Sequence, residues 1–154
     1  MKVAFAIVLF VFSIPCFAQS PGKAEVFSSA QIRSQLDQLA QQAGAKGGGT
    51  SVLADYGALT IKLSERNASG GAEIHAHFDD VMLVTEGKAT LITGGDLIDA
   101  HTVSDGEIAG SGIRNGTTQS IATGDVIHVP AGTPHQVLIA QGTTYSAVVI
   151  KVKR

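Results

Sequence analysis

The amino-acid sequence predicts an all-β protein, a small sandwich or barrel, preceded by one short α-helix. From residue 50 onward, short runs rich in Val, Ile, Leu and Thr alternate with Gly, Asn and Asp, a pattern typical of many short strands joined by turns. The chain contains 18 Gly, which disfavours a helical bundle because glycine destabilises helix interiors. Its length of 154 residues predicts a single domain.

The first 18 residues have the layout of a secretory signal peptide. Lys2 provides a positive start, residues 3–15 are almost entirely apolar, and Ala18 is a small residue suited to cleavage. The apolar run is shorter than the roughly 20 residues that a membrane-spanning helix needs. We therefore expect a secreted or periplasmic protein that has no membrane contact once residues 1–18 are removed.

The composition excludes several classes of scaffold and partner. The single cysteine, Cys16, lies in the predicted signal peptide, so the mature chain would have neither a disulfide nor a zinc–thiolate site. The formal net charge is −2 and the sequence has no basic patch, so a nucleic-acid partner is not expected. Any metal bound by the mature chain would have to be held by nitrogen and oxygen atoms.

Residues 19–49 are predicted to form a leader and an amphipathic helix. Ser28 followed by Gln31 resembles a capping box, and apolar residues recur at helical spacing over about residues 30–43. Gly44 and the glycines after it would end the helix. We expect this helix either to cover one end of the barrel or to mediate a homodimer.

Residues 50–154 are predicted to form the barrel. Strands are expected at about 59–64, 81–85, 88–93, 125–129, 136–140 and 144–152. Glu86 and Gly87, between two of these runs, form a tight-hairpin signal. Residues 99–116 are weakly patterned and are expected to be a long loop or an extra hairpin.

Two neighbouring histidines, His75 and His77, form the first candidate site. In a strand their side chains would point to the same face, ~7 Å apart. Two imidazoles on one face can bind one cation, and a carboxylate nearby would complete a facial ligand set. Two surface histidines in a polar strand are the alternative interpretation.

A third histidine follows a constrained turn. Within residues 124–135, an apolar strand ends at Pro130, and Gly132 and Pro134 restrict the turn that leads to His135. The sequence therefore predicts a defined position for His135 where the chain re-enters the barrel.

Together these segments resemble the two motifs of the cupin superfamily, G-x5-H-x-H-x3,4-E-x6-G and G-x5-P-x-G-x2-H-x3-N. The resemblance spans about residues 57–152 and is carried by the histidine pair of the first motif and by residues 124–135 of the second. It implies a double-stranded β-helix, a jelly-roll barrel, with a metal ion in its mouth. It also implies that His75, His77 and His135 are metal ligands.

The sequence departs from the first motif at its carboxylate. Counting back from Gly87, the position of the usual Glu holds Asp80, whose side chain is one methylene shorter. We expect Asp80 to be the fourth ligand, with Asp79 and Glu73 as alternatives, because Glu73 would share the strand face of the histidines. The final Asn of the second motif is replaced by Ile139, a change expected to affect little.

Other polar residues are candidates for catalysis. His128, in the strand before the turn, and Tyr145, at the start of the last strand, would be the nearest acid, base or orienting groups, and a core or rim position is the alternative for both. His101 would be exposed or part of a lid over the barrel mouth. Asn67 and Asn115 match the N-glycosylation pattern, which matters only in a eukaryotic host.

The expected cofactor is one divalent transition metal. Three imidazoles and a carboxylate suit Zn, Cu, Ni, Fe or Mn. A chain exported unfolded takes up its metal outside the cytoplasm, where cytosolic buffering does not restrain the tighter-binding ions. We therefore expect Zn, Cu or Ni, with Fe or Mn as alternatives.

The resemblance implies three classes of function. The first is a metal-dependent enzyme of the dioxygenase, isomerase, lyase or decarboxylase type, acting on a small organic substrate in the barrel mouth. The second is a non-catalytic module that binds a small molecule, a sugar or an acid, and has a structural metal. The third is a storage-type protein, which the histidine set disfavours. We expect the enzyme.

Overall fold

The computed structural model describes residues 22–154 of the chain. The predicted signal peptide, residues 1–18, lies outside the described residues. In the part that is described, no helix combines the length and the hydropathy needed to cross a membrane.

Strands dominate the described residues. They are β1 (Gly48–Asp55), β2 (Leu59–Arg66), β3 (Ala72–His75), β4 (Phe78–Thr93), β5 (Asp96–Ile98), β6 (His101–Ser104), β7 (Glu107–Gly110), β8 (Gly112–Arg114), β9 (Thr117–Ala122), β10 (Val126–Val129), β11 (His135–Leu138) and β12 (Tyr145–Lys153). A curled antiparallel sheet follows the order β1-β2-β12-β4-β11-β3-β7-β6, and β9 and β10 also pair with β4. Strands β5 and β8 form a separate pair.

Strand β4 joins the two halves of the barrel. Its first half pairs with β10 and β12, and its second half pairs with β9 and β11. The hairpin predicted at Glu86 and Gly87 is therefore wrong, because the chain continues along the same strand. Gly87 has a φ of 80°, and the register shifts beside it between Val84 and Glu86. A bulge and a glycine bend β4 so that it passes from one wall of the barrel to the other. Glu86 and Gly87 therefore mark a bend within one strand and not a turn between two strands.

The weakly patterned residues 99–116 form short strands, as the extra-hairpin alternative predicted. Strands β6 and β7 pair around a turn at Asp105 and Gly106, and β7 also pairs with β3. This second pairing places Glu107 opposite His75. The segment is therefore part of the barrel wall beside the histidines.

The N-terminal helix, α1, spans Ser29–Ala43, close to its predicted bounds. The Ser28 hydroxyl accepts a 3.2 Å hydrogen bond from the backbone N–H of Gln31, which satisfies one of the free donors of the first turn. The helix ends at Gly44, which has a φ of 40°, and a single 3-10 turn, Gly44–Lys46, follows.

Helix α1 packs on the outer face of the sheet. Its residues Leu36 and Leu39 are buried against Leu63 of β2, which is fully buried. The strand neighbours of Leu63, Lys62 and Ser64, point to the other side and line the interior cavity. The expectation that the helix covers a barrel end is thus replaced by packing against the barrel side.

The inner apolar core is formed mainly by β4, β9 and β12. Its buried members are Met82, Val84, Ala89, Leu91, Ile121, Val129, Ile139, Tyr145 and Ala147. This core fills part of the barrel, and the space that it leaves is lined by polar side chains described below.

Candidate metal centre

His75 and His135 come together inside the barrel. His75 ends β3 and His135 begins β11, and these two strands pair with each other. Both side chains are buried, and their ring centroids lie 5.1 Å apart. Two of the three histidines implied by the cupin resemblance therefore share one place in the structure.

Each of these two rings is held at its Nδ1 atom. His75 Nδ1 lies 2.5 Å from a carboxylate oxygen of Glu107, and His135 Nδ1 lies 3.1 Å from the backbone carbonyl oxygen of Thr133. Because both partners are acceptors, Nδ1 carries the proton in each neutral ring and Nε2 carries the free lone pair. Hydrogen bonds of this kind orient histidines that ligate metals.

Two carboxylates face the Nε2 atoms. The oxygens of Glu73 lie 3.7 Å from His75 Nε2 and 3.9 Å from His135 Nε2. Oδ2 of Asp80 lies 3.5 Å and 3.8 Å from the same two atoms. Potential ligand atoms of Glu73, His75 and His135 all lie within 4.8 Å of one another.

These separations fit one metal ion. Ligand atoms that lie 2.0–2.2 Å from an ion are at most about 4.4 Å from each other. The four distances between imidazole and carboxylate atoms, 3.5–3.9 Å, are inside this limit. Two imidazoles and one carboxylate form the facial set of non-haem iron sites and also a ligand set used for zinc. The donor chemistry of these residues thus suits a divalent transition metal.

The two carboxylates have different surroundings. Asp80 is buried, and its Oδ1 accepts a 2.7 Å hydrogen bond from Lys151 Nζ, so only Oδ2 faces the histidines. The Glu73 side chain is 45% exposed, and no Lys or Arg of residues 22–154 forms a salt bridge with it. Both Asp80, the expected ligand, and Glu73, one of its alternatives, therefore reach the site, and Glu73 keeps the uncompensated charge.

Burial lowers the pKa of the His135 imidazole. The hydrogen bond to the Thr133 carbonyl and the charges of Glu73 and Asp80 act in the opposite direction, but burial dominates. The neutral ring, which is the form that binds a metal, is thereby favoured.

A cavity of about 480 Å³ adjoins the paired histidines, a size typical of pockets for small molecules. It is lined by Thr50, Lys62, Ser64, Arg66, Glu73, His75, Asp80, Met82, Glu107, His135, Val137, Tyr145, Val149 and Lys151. These residues come from opposite walls of the barrel, so the cavity occupies its interior.

His77 lies outside this site. Strand β3 ends at His75, and Ala76 and His77 form the turn that leads into β4, so strand alternation does not extend to His77. The backbone N–H of Ala76 donates a 2.7 Å hydrogen bond to the carbonyl of Gly106, and the His77 ring packs beside that glycine. The His77 side chain is 51% exposed and lies 3.7 Å from Asp105. The predicted shared face of His75 and His77 is therefore corrected.

Asp79 and His128 also lie outside the site, and they bind each other. Asp79 accepts 2.9 Å hydrogen bonds from His128 Nε2, from Arg154 Nε and from the backbone N–H of Ala131. These bonds, that from Arg154 above all, hold the pKa of Asp79 well below its usual range. Successive residues of β4 point to opposite faces, so Asp80 faces the cavity and Asp79 faces away. The structure therefore does not bring Asp79, an alternative metal ligand, or His128, a candidate catalytic residue, to the paired histidines.

Tyr145 lines the cavity and is also a member of the core, so both of its predicted positions hold. It is 2% exposed, and its Oη has no hydrogen-bond partner among residues 22–154. Burial raises the pKa of the phenol to about 12, against the opposing charge of Arg66. Tyr145 is therefore neutral, and its hydroxyl is a buried donor that no described residue satisfies.

Sequence analysis missed Glu107 and Lys151. Glu107 lies in the weakly patterned segment, and only its pairing across β3–β7 reveals its place beside His75. Lys151 follows Tyr145 by six positions in β12, and an even offset along a strand could have placed both side chains on one face. His101 is exposed, as one of its two predicted positions required, and its Nδ1 lies 3.2 Å from the carbonyl of Asp99 in the preceding turn.

Comparison with known proteins gives similarity in structure alone. No protein-family model matches the chain, and no curated protein matches it in sequence. An uncharacterized conserved protein with a double-stranded beta-helix domain from Klebsiella pneumoniae superposes with a TM-score of 0.58 at 14% identity. That alignment covers 85% of this chain and 91% of the Klebsiella chain.

This chain has the double-stranded β-helix fold of the cupins. Two enzymes with the same fold align less completely. The polyketide cyclase RemF from Streptomyces resistomycificus gives a TM-score of 0.50 at 23% identity, over 70% of this chain and 66% of the cyclase. The DMSP lyase DddQ from Ruegeria pomeroyi gives 0.50 at 14% identity, over 71% of this chain. The chain spans 48% of that lyase, so the cupin barrel is the part that the two proteins share.

Proposed function

We propose that this protein is an exported cupin-fold enzyme that holds one divalent transition metal and acts on a small organic substrate in the barrel cavity. Glu73, His75 and His135 supply the protein ligands, and Asp80 Oδ2 is the fourth donor beside them. Export is inferred from the signal-peptide layout of residues 1–18.

The orientation of the two imidazoles carries this proposal. Their Nδ1 atoms are held from behind by Glu107 and by the Thr133 carbonyl, and their Nε2 atoms face the carboxylate oxygens of Glu73 and Asp80. A cluster that served only to stabilise the fold would not need both lone pairs to point at two carboxylates. With an ion between them, the same arrangement places donor atoms around one centre and leaves positions open on the cavity side.

A divalent ion in this position would supply Lewis-acid chemistry, polarising a carbonyl or holding a negatively charged oxygen. The chain itself contributes the remaining functions. Tyr145 lines the cavity, and its neutral phenol is a hydrogen-bond donor without a partner among residues 22–154. Met82, Val137 and Val149 give the cavity apolar wall that excludes water from part of the substrate.

An enzyme is favoured over a passive binding module by the open ligand set within a cavity of substrate size. The cyclase and the lyase with the same fold support this class of function, whereas the fold by itself does not determine the reaction. The nitrogen and oxygen donors suit Zn, Cu or Ni acquired after export, with Fe or Mn as the alternatives.

Elemental analysis combined with a substrate screen tests the proposal. Protein purified after export should contain close to one divalent metal ion per chain. Small carboxylic acids and phenols are then tested for turnover and for a metal-dependent rise in melting temperature. Turnover that a chelator abolishes is the expected result. A thermal shift without turnover would indicate the binding module, and folded protein that takes up no metal would contradict the metal centre.

A further inference from the structure

The wall of the cavity opposite the histidines is cationic. Lys62 and Arg66 of β2 both line the cavity, on either side of the buried Ser64. Among residues 22–154, no carboxylate forms a salt bridge with either of these two side chains. The third cation of the cavity, Lys151, is already paired with Asp80. Two positive charges therefore face the cavity without an acidic partner in the described part of the chain.

The acidic residues of the cavity are all committed to the metal end. Glu107 binds His75, while Asp80 and Glu73 face the two Nε2 atoms. The cavity is lined by three carboxylates and three cationic side chains, so its formal net charge is zero when both histidines are neutral. A bound divalent ion would thus give the cavity a net positive charge, which favours an anionic ligand.

Arg66 is held in a position to meet such a ligand. The register places it opposite Tyr145 on β12, and its guanidinium lies over Gly70 in the segment before β3. A Cβ atom at residue 70 would lie 2.6 Å from an Arg66 terminal nitrogen, so the absence of a side chain at Gly70 makes room for the guanidinium. Arg66 therefore extends from β2 toward the loop that leads to the histidines.

A buried hydroxyl without a partner lies at the same end. Tyr145 Oη makes no hydrogen bond within the described residues although the residue is 2% exposed. Leaving a buried donor unsatisfied destabilises the folded protein. A ligand oxygen accepting from this phenol and from the neighbouring guanidinium would remove that destabilisation.

We propose that the substrate of the metal centre carries an oxyanion, carboxylate or phosphate, and that Arg66 anchors this group with Lys62 and Tyr145. This inference rests on the proposed function, because it takes the anion to be part of the molecule that reaches the metal. A guanidinium can bind a carboxylate or a phosphate through two parallel hydrogen bonds. Arg66 therefore predicts an oxyanion and does not distinguish between these two groups.

Calorimetric titration with three four-carbon probes tests the site. Butyrate, butyl phosphate and the neutral butyramide are titrated into the metal-loaded protein. We expect one or both anions to bind at least tenfold more tightly than butyramide, and the tighter anion identifies the head group. Equal affinity for all three probes would overturn the inference.

Variants test whether anion binding depends on Arg66 itself or only on the overall positive charge of the protein. Arg66→Gln should remove the preference for the anion, whereas Lys153→Gln, which removes an exposed charge elsewhere, should retain it. Gly70→Ala keeps every charge but displaces the guanidinium, and should weaken anion binding several-fold while the protein remains folded. Unchanged anion affinity in both the Arg66 and the Gly70 variants would overturn the anchor.

Metal content measured on the same samples distinguishes this inference from the proposed function. Protein that binds metal but does not prefer an anion contradicts the oxyanion site and leaves the metal centre standing. Protein without metal that still shows an Arg66-dependent preference contradicts the metal centre and supports the oxyanion site.

Discussion

Glu107 fixes the ring of His75 from the neighbouring strand. Its carboxylate lies 2.5 Å from His75 Nδ1, and the two residues are directly opposite each other in the β3–β7 pairing. This hydrogen bond turns His75 Nε2 toward Glu73 and Asp80. A residue on a neighbouring strand thus determines the direction in which the His75 Nε2 lone pair points.

Removing this carboxylate should weaken metal binding without removing a ligand. For Glu107→Ala we expect a loss of about 10–100-fold in metal affinity, the usual effect of losing an orienting partner. Competition between the protein and a chromophoric zinc chelator measures the change. Asp105→Ala, in the same hairpin but exposed, is the matched control and should bind as the wild type does. Equal affinities for both variants would contradict the orienting role.

The two neighbouring histidines of the first motif, His75 and His77, should differ in their contribution to metal binding. His75→Ala should abolish metal retention through gel filtration because it removes a buried ligand. His77→Ala should retain full metal content, since its side chain is half exposed and lies in the turn beside Asp105. Loss of metal in the His77 variant would show that the turn rearranges to bring this ring into the site.

Replacing each carboxylate of the centre by its neutral amide should distinguish the role of Glu73 from that of Asp80. Glu73→Gln should reduce metal affinity strongly with little change in folding stability, because Glu73 has no cationic partner in the described residues. Asp80→Asn should also destabilise the metal-free protein, because it leaves the partly buried Lys151 ammonium without its counter-charge. Metal titration and urea unfolding of the metal-free variants distinguish the two effects. Identical unfolding curves for both variants would contradict this assignment.

Asp79 should make stability depend on pH in the acid range. Its folded-state pKa lies below the value of about 3.9 expected in the unfolded chain. The resulting stabilisation is fully present above that value and decreases as the pH falls from it toward the folded-state pKa. Asp79→Asn should therefore have a lower free energy of unfolding than wild type at pH 7. This difference in free energy should be smaller at pH 3.

Urea unfolding at pH 7, 4 and 3 measures this narrowing. Asp105→Asn, at a fully exposed carboxylate, should show no comparable gap at any of the three pH values. A constant difference between Asp79→Asn and wild type over this range would mean that the bonds from Arg154 and His128 do not stabilise the folded protein.

Gly87 should be intolerant of any side chain. A Cβ atom there would overlap the backbone carbonyl oxygen of Thr144, and the φ of 80° is itself unfavourable for other residues. We expect Gly87→Ala to cost about 4 kcal/mol or more in the free energy of unfolding. Gly142→Ala has a similar φ of 75° but open space around it, so it should cost only about 1 kcal/mol. Chemical denaturation of the two variants checks the difference.

Local patterns in the sequence were sufficient for much of the fold. Ser28 and Gly44 bound the helix as predicted, because capping depends on residues within one turn. The strand predicted at about 59–64 is present as β2, but both of its faces are covered, since helix α1 packs on Leu63 and Ser64 is buried on the cavity side. The same local reasoning mistook Gly87 for a chain reversal, since a positive φ suits a hairpin and a bulge equally and only the pairing of β4 with four other strands distinguishes them.

By itself, the sequence determined the strand-rich fold class and the helix, and it singled out His75 and His135, whose rings the structure brings together. Only the tertiary structure decided which carboxylates meet them. Asp79 and Asp80 are adjacent in the chain, and strand alternation sends one to Arg154 and the other to the histidines. The physical reason is that a ligand set depends on register between strands distant in sequence, and no local spacing encodes that register.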